Sequence, residues 1–333
     1  MSRYYDITIN DPLTGKAVKQ WSSHPNGIYD PQAQNVEFDI LAYSYAIPKG
    51  ASTVTIEGID IADIGQANSY TGFPVTIKGG MKDGLPLANP SQAGFLLSGQ
   101  VFQGFGNWEG TDMTLDLVVM ASPYTYDQPG NFVLNLPAGG QYGPAIKAML
   151  QGVFGASNLV VNVSPNRVSS SKKAHVFYYH TLEQASEALS TMTQGQLCAA
   201  DPGVVITLAG NGTVLVFDYS EPSGVKNLSF YDFVGQPTWI GPLELQVKMV
   251  LRADLSVGTM VKMPEFKKSP LPNAPGIVTT QAGSLPGYTA QNSIFQGDFF
   301  VTSLRHVGNF RDPNGASWVT IANLVSAGSV GCG

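Results

Sequence analysis

A chain of 333 residues with 43% hydrophobic and 13% charged side chains, 37 glycines and 22 prolines is longer than one hydrophobic core usually spans, and its composition favours short strands joined by tight turns. A formal charge of -6, with no Lys/Arg run beyond the pairs Lys172-Lys173 and Lys267-Lys268, argues against a duplex-binding surface. Two cysteines, Cys198 and Cys332, lie far apart with no Cys or His at metal spacing, which speaks against a disulfide scaffold or a zinc ribbon and suits a reducing assembly compartment.

The opening MSRYYDITINDPLTGK is polar-patterned and lacks the apolar core of a secretory signal. No apolar stretch reaches the ~18 residues of a membrane span. From Tyr4 to Met120 the pattern predicts strands throughout, including VEFDILAY (36–43), STVTIEGIDI (52–61), FPVTIKGG (73–80) and MTLDLVVM (113–120). In the last of these Met113, Leu115, Leu117 and Val119 share one face while Thr114 and Asp116 share the other, the signature of an antiparallel sheet with one wet side. After Pro123 the texture changes. Pro144 opens AIKAMLQGVF, where Ile146, Met149, Leu150 and Val153 recur at helical spacing. NLVVNV (158–163) and HVFYYH (175–180) read as strands, and Thr181 with Gln184 forms a capping box before a helix carrying Leu182, Ala185, Leu189 and Met192. Gly210-Asn211-Gly212 between two apolar runs signals a hairpin. From Val225 the chain is β again, with Leu243, Leu245, Val247, Met249 and Leu251 on one face of LELQVKMVL. A Pro-, Gly- and Thr-rich segment at 267–287 reads as a long loop or arm.

The resulting expectation is a mainly β protein with an α+β insert: two antiparallel β-barrel domains, at 1–125 and 223–333, flanking a small α+β domain at 126–222.

No catalytic constellation stands out. Arg305 and His306 point to opposite faces of one strand and cannot act on one atom. Asp312-Pro313-Asn314-Gly315 is turn chemistry beside Arg311. His175 and His180 likewise fall on opposite faces with no ligand partner nearby, and His24 precedes the Pro25-Asn26-Gly27 turn. Glu109, Asp112 and Asp116, like Glu57, Asp60 and Asp63, have no spacing that marks a glycosidase pair. Leu97-Ser98-Gly99 lacks the flanks of a nucleophile elbow, and Gly104-Phe105-Gly106 lacks the third glycine and helix of a phosphate-binding turn. The expectation is therefore no enzyme, no cofactor and no metal.

The run GQPTWIGPLELQVKMVLRADLSVGTMVKMP from Gly235 resembles the second barrel of the tail-hub (baseplate hub) proteins of contractile-tailed bacteriophages, with Leu255, Val257, Gly258 and Val261 in the matching part. The closing FFVTSLRHVGNFRDPNGASWVT is similar to that family's terminal hairpin through His306, Gly308, Trp318 and Thr320. The resemblance implies two tail-tube-like barrels and a mechanical role. A homotrimer would present six pseudo-equivalent barrels, joining a six-fold tail tube to a three-fold spike and leaving a channel through which DNA passes without specific binding. Partners implied are the spike or puncturing protein, tail-tube or tube-initiator proteins, baseplate wedge proteins and the tape-measure protein, in a virion baseplate assembled in the host cytoplasm. Two alternatives come from other classes: a carbohydrate-binding receptor module using Tyr43, Tyr45, Trp108 and Tyr124, and a hub-fused peptidoglycan hydrolase.

Overall fold

The computed structural model describes residues 3–44, 51–82, 89–121, 129–220, 222, 225–264, 279–280 and 297–330. The first segment holds β1 (Arg3–Asn10), β2 (Ala17–Ser22), β3 (Val36–Tyr43), β4 (Ser52–Glu57), α1 (Ile61–Gln66), β5 (Pro74–Met81), β6 (Gly94–Glu109) and β7 (Asp112–Met120). The middle segment holds β8 (Phe132–Leu136), α2 (Tyr142–Phe154), β9 (Leu159–Asn162), β10 (His175–Tyr179), α3 (Leu182–Thr193), β11 (Val205–Leu208) and β12 (Val214–Phe217). The last holds β13 (Val225–Asn227), β14 (Thr238–Trp239), β15 (Glu244–Val250), β16 (Met260–Lys262), β17 (Thr279–Thr280), β18 (Asp298–Asn309), β19 (Trp318–Ser326) and α4 (Ala327–Val330). The chain is mainly antiparallel β with few helices, as its alternating pattern implies.

Strands of the first and last segments are hydrogen-bonded into one 14-stranded sheet, in the order β17-β14-β15-β19-β18-β3-β4-β7-β6-β5-β1-β2, with β16 and β13 branching from β18. The join is β18. Its 12 residues are long enough to pair with β16 at Phe299 and Phe300 and with β3 from Ser303 to Asn309 along the same edge, while β19 lies along the other. A bulge between Val301 and Ser303 moves the alternation by one residue, so Val301 and Leu304 both face inward.

One core gathers Tyr5, Ile7, Phe38, Ile40, Val54, Ile56, Leu115 and Leu117 with Val250, Leu251, Phe310 and Trp318 of the last segment. Trp318 donates its indole N–H to the Gly80 carbonyl at 2.9 Å. The Arg3 guanidinium lies 5.7 Å from the Trp318 ring and donates to the carbonyls of Asn309, Asp312 and Asn314. The start of the described chain is thereby tied to its final turn. A second core lies wholly in the middle segment, around Phe132, Leu134, Ile146, Leu150, Leu182, Leu189, Ile206 and Val216. A third joins Leu245, Val247, Met249, Val261, Leu304 and Leu324. A smaller cluster of Phe217, Tyr219, Val257 and Phe300 packs the middle segment against the last, where the Phe217 ring covers Gly258 so closely that a Cβ there would collide with it.

Both expected helices of the middle segment form. In α2, Ile146, Met149 and Leu150 are buried, and Thr181 caps α3 by accepting from the Gln184 N–H at 3.2 Å. The reciprocal half of the box differs, because the Gln184 side chain accepts from His180 N–H, one residue earlier. The hairpin at Gly210–Gly212 joins β11 to β12, and its tip sits on β6, where a Cβ at Gly210 would collide with the Phe95 carbonyl.

Three local expectations differ. The strand read through Ile61 stops at Glu57, because Gly58 adopts a φ of 75° and Asp60 caps α1 by accepting from the Asp63 N–H at 2.9 Å. Leu243 precedes β15 and is exposed, while Leu245, Val247 and Met249 are buried. Cys198 is disulfide-bonded, contrary to the reading that the two cysteines suit a reducing compartment; the chain's other cysteine, Cys332, lies outside the described residues. Most of the 267–287 segment lies outside them as well.

Candidate functional site

The sheet's inward face carries Ile40, His306, Thr320 and Met249 side by side across β3, β18, β19 and β15. Its opposite face mixes charged and polar side chains with half-exposed apolar ones and continues from the first segment into the last. One row crosses the junction as Phe105, Asp116, Thr55, Glu37 and Asn309. Another reads Leu41, Arg305, Ile321 and Lys248. Every one of these side chains is at least partly exposed. Seven strands, β6 to β15, share this face, which at the usual strand spacing is roughly 30 Å across.

The charges on it are held in place. Arg305 donates from Nε and one terminal nitrogen to the two oxygens of Asp39, at 2.8 and 2.6 Å, a diagonal cross-strand pair of two-pronged geometry. That hydrogen bonding raises the guanidinium's pKa further. Asp116 accepts from Thr55 Oγ1 and Asn107 Nδ2, both at 2.5 Å, and Glu37 accepts from Asn309 Nδ2. Such a face offers ordered dipoles and fixed charge.

At one end of the face lie two polar clefts. One, of about 760 Å³, is walled by Gln32, Glu57, Asn107, Glu109, Asp112 and Arg311 among others. The second, of about 690 Å³, is walled by Asp6, Lys19, Trp21, Asp30, Asp60 and Asp63 among others. They meet at Gln34 and Gly58, which line both. Lys19 forms an ion pair with Asp63, and Arg311 donates to the carbonyls of Pro31 and Ala33.

The residues weighed from sequence are dispersed. Arg305 is on the polar face, whereas His306 is buried and its Nδ1 lies 2.9 Å from Thr320 Oγ1. Burial pushes the His306 imidazole pKa down to about 4, so it is neutral at neutral pH. Asp312 accepts from the Asn314 N–H within the turn. The pairs His306–Thr320 and Gly308–Trp318, which carry the hairpin resemblance, are cross-strand partners. His175 meets Ser171 at 2.8 Å, His180 packs edge-on to Tyr178, and His24 meets Ser23 at 2.8 Å. Glu109 and Asp112 close the β6–β7 hairpin opposite one another. Ser98 pairs with Thr76 in the sheet. Gly104 and Gly106 let α1 and the turn after it lie on β6, since a Cβ at either would collide with the backbone of Ala67 or Ile64. Trp108 is exposed at the hairpin end, Tyr43 is half-buried at the end of β3, and Tyr45 and Tyr124 lie outside the described residues. Among the described residues no three His, Cys, Asp or Glu side chains are grouped to hold a metal, and no helix is long and apolar enough to cross a membrane.

Sequence reasoning missed Arg167. It is fully buried, donating from Nε to Asp218 at 2.6 Å and from its terminal nitrogens to Asp201 at 2.9 and 2.5 Å and to the Thr193 carbonyl at 2.7 Å. The three residues are up to 51 positions apart and sit in loops, so no local pattern announces them.

No family model matches the chain, and no curated protein matches it. Solved structures do. The 43 kDa tail protein of prophage MuSo2 from Shewanella oneidensis superposes with a TM-score of 0.50 at 10% identity, over 99% of both chains. A tail protein from Neisseria meningitidis MC58 gives 0.48 at 12% identity over 99% of this chain and 98% of that one. A component of the Escherichia coli type VI secretion system, described as similar in structure to T4 bacteriophage tail proteins, gives 0.48 at 9% over 90% and 74%. At such identities the likeness is one of fold alone: over nearly its whole length this chain is folded like the MuSo2 prophage tail protein.

Proposed function

We propose that the chain is a structural hub of a phage tail, without enzymatic activity, working as a homotrimeric ring at the baseplate. Its units are residues 1–125 and 223–333, each a tube-like β domain, and the α+β insert 126–222. The observation that carries this reading is the solvent-facing, charge-bearing sheet face that crosses from the first segment into the last. Two such units joined along one sheet would present a single lining, and three copies would complete six units around an axis. Glu37, Asp39, Glu57 and Asp116 place more acid than base on that lining, which favours passage of DNA over its retention. The insert, with its separate core, faces outward to baseplate wedge proteins, while the two ends of the ring meet the tail tube and the spike.

Light scattering on the purified chain tests the proposal. A mass about three times that of the 35.4 kDa chain, with ring-shaped projections of pseudo-six-fold outline in negative stain, supports the hub. A monomer that forms no ring with the neighbouring spike protein contradicts it.

A further inference from the structure

We propose that the two acidic clefts beside β2 form one groove that seats an extended, lysine- or arginine-rich segment of a partner protein. The clefts share Gln34 and Gly58, so a single chain of ligand can run through both. Glu57, Glu109 and Asp112 line one, and Asp6, Asp30, Asp60 and Asp63 line the other, against Lys19 and Arg311 as the only strong bases of the two linings. Seven acids less two bases leave -5, nearly the whole formal charge of -6 carried by the chain. Nucleic acid and other polyanions are repelled there.

Several features fit a segment in extended form. β2 is the last strand of the sheet, and among the described residues it pairs only with β1. Its residues Lys19 to Ser22 line the groove, so a strand lying there can add backbone hydrogen bonds to a free edge while its side chains reach carboxylates. The two local bases offer little competition. Lys19 is already paired with Asp63, and Arg311 is spent on two backbone carbonyls. His24, on the same wall, has its pKa lowered by burial and then by Lys82, and adds no positive charge at neutral pH. Glu57 and Glu109 make no side-chain hydrogen bond to any described residue, so their oxygens are free to accept. Outside the two linings, the nearby Tyr70 hydroxyl is buried and has no hydrogen-bond partner among the described residues.

The inference rests on the groove and not on the trimeric ring, so its failure leaves the ring untouched. The test is fluorescence anisotropy with a labelled oligolysine peptide and, separately, a neutral chito-oligosaccharide. The variant is Glu57→Gln with Glu109→Gln and Asp112→Asn, which removes only one weak hydrogen bond, from Thr111 Oγ1 to Asp112 at 3.5 Å. Glu187→Gln with Glu244→Gln and Asp298→Asn is the control, removing the same number of charges, since all three are exposed and line neither cleft. Expected are oligolysine binding that weakens on the order of 10-fold in the triple variant, stays within about 2-fold in the control, and falls steeply with salt. Equal loss in both variants reduces the effect to net charge and overturns the groove. Absence of oligolysine binding overturns it too, as does chito-oligosaccharide binding that survives salt and is lost in the triple variant, which assigns the groove to glycans.

Discussion

Acidification should loosen the sheet junction through one residue, His306. The imidazole is buried between β3 and β19, opposite Ile40 and Thr320. Thr320 Oγ1 accepts from the Arg252 N–H at 3.0 Å and donates to the Arg252 carbonyl at 3.2 Å, which leaves it free to accept from His306 Nδ1–H. In the unfolded chain the imidazole titrates near its ordinary 6.5, whereas burial pushes it down to about 4 in the fold. Between those values the unfolded state binds the extra proton. Stability from this residue is therefore full above pH 6.5, falls by ~1.4 kcal/mol per pH unit below it, and levels off near pH 4, a loss of about 3 kcal/mol in all. His306→Leu keeps the buried volume and leaves Thr320 its two bonds to Arg252. Urea unfolding midpoints, followed by tryptophan fluorescence from neutral pH downward, should show the wild type losing ground on the variant across that window. Parallel curves would refute the buried neutral histidine.

Arg167→Met should cost about 3–5 kcal/mol, because it strands Asp201 and Asp218, both buried, without their cation; calorimetry should show the loss in the unfolding of the insert. The same arginine helps hold the Asp201 carboxyl below its ordinary range, against the opposing pull of burial. Its stabilisation is thus present at neutral pH and is lost as the pH falls below about 4, so the deficit of Arg167→Met should narrow in acid. Gly104→Ala should destabilise by ~1–3 kcal/mol, since the added methyl meets the backbone of Ala67 and neither strand nor turn can yield cheaply; a thermal melt reads it. Arg305→Ala should cost only ~0.2–1 kcal/mol, with the difference shrinking in salt, because the Arg305–Asp39 pair is half-exposed.

What was legible in the sequence followed from local chemistry. Alternation placed Arg305 and His306 on opposite faces, and one is indeed in a surface ion pair while the other is in the core. Pro144 and Thr181 marked helix starts because orphan N–H groups at a helix end demand particular neighbours. The short α1 was missed because six residues are too few for a periodic signal, and only Gly58 and Asp60 announce it. Pairing of β18 with β3 joins residues separated by 266 positions, a relation that no window of sequence contains. The bulge at Thr302 was invisible for a similar reason, since a bulge is a property of two strands and not of one. The clefts draw their walls from β1, β2, the 30–35 loop, β4, α1 and the β6–β7 hairpin. Scattered acids that looked like ordinary strand polarity therefore converge only once the chain is folded.

The most direct test of the central claim is a cryo-electron microscopy reconstruction of the assembled ring. The account expects three copies around a channel lined by Glu37, Asp39, Asp116 and Arg305. Finding that face on the outside of the assembly, or buried against another chain with no channel beside it, would contradict the hub.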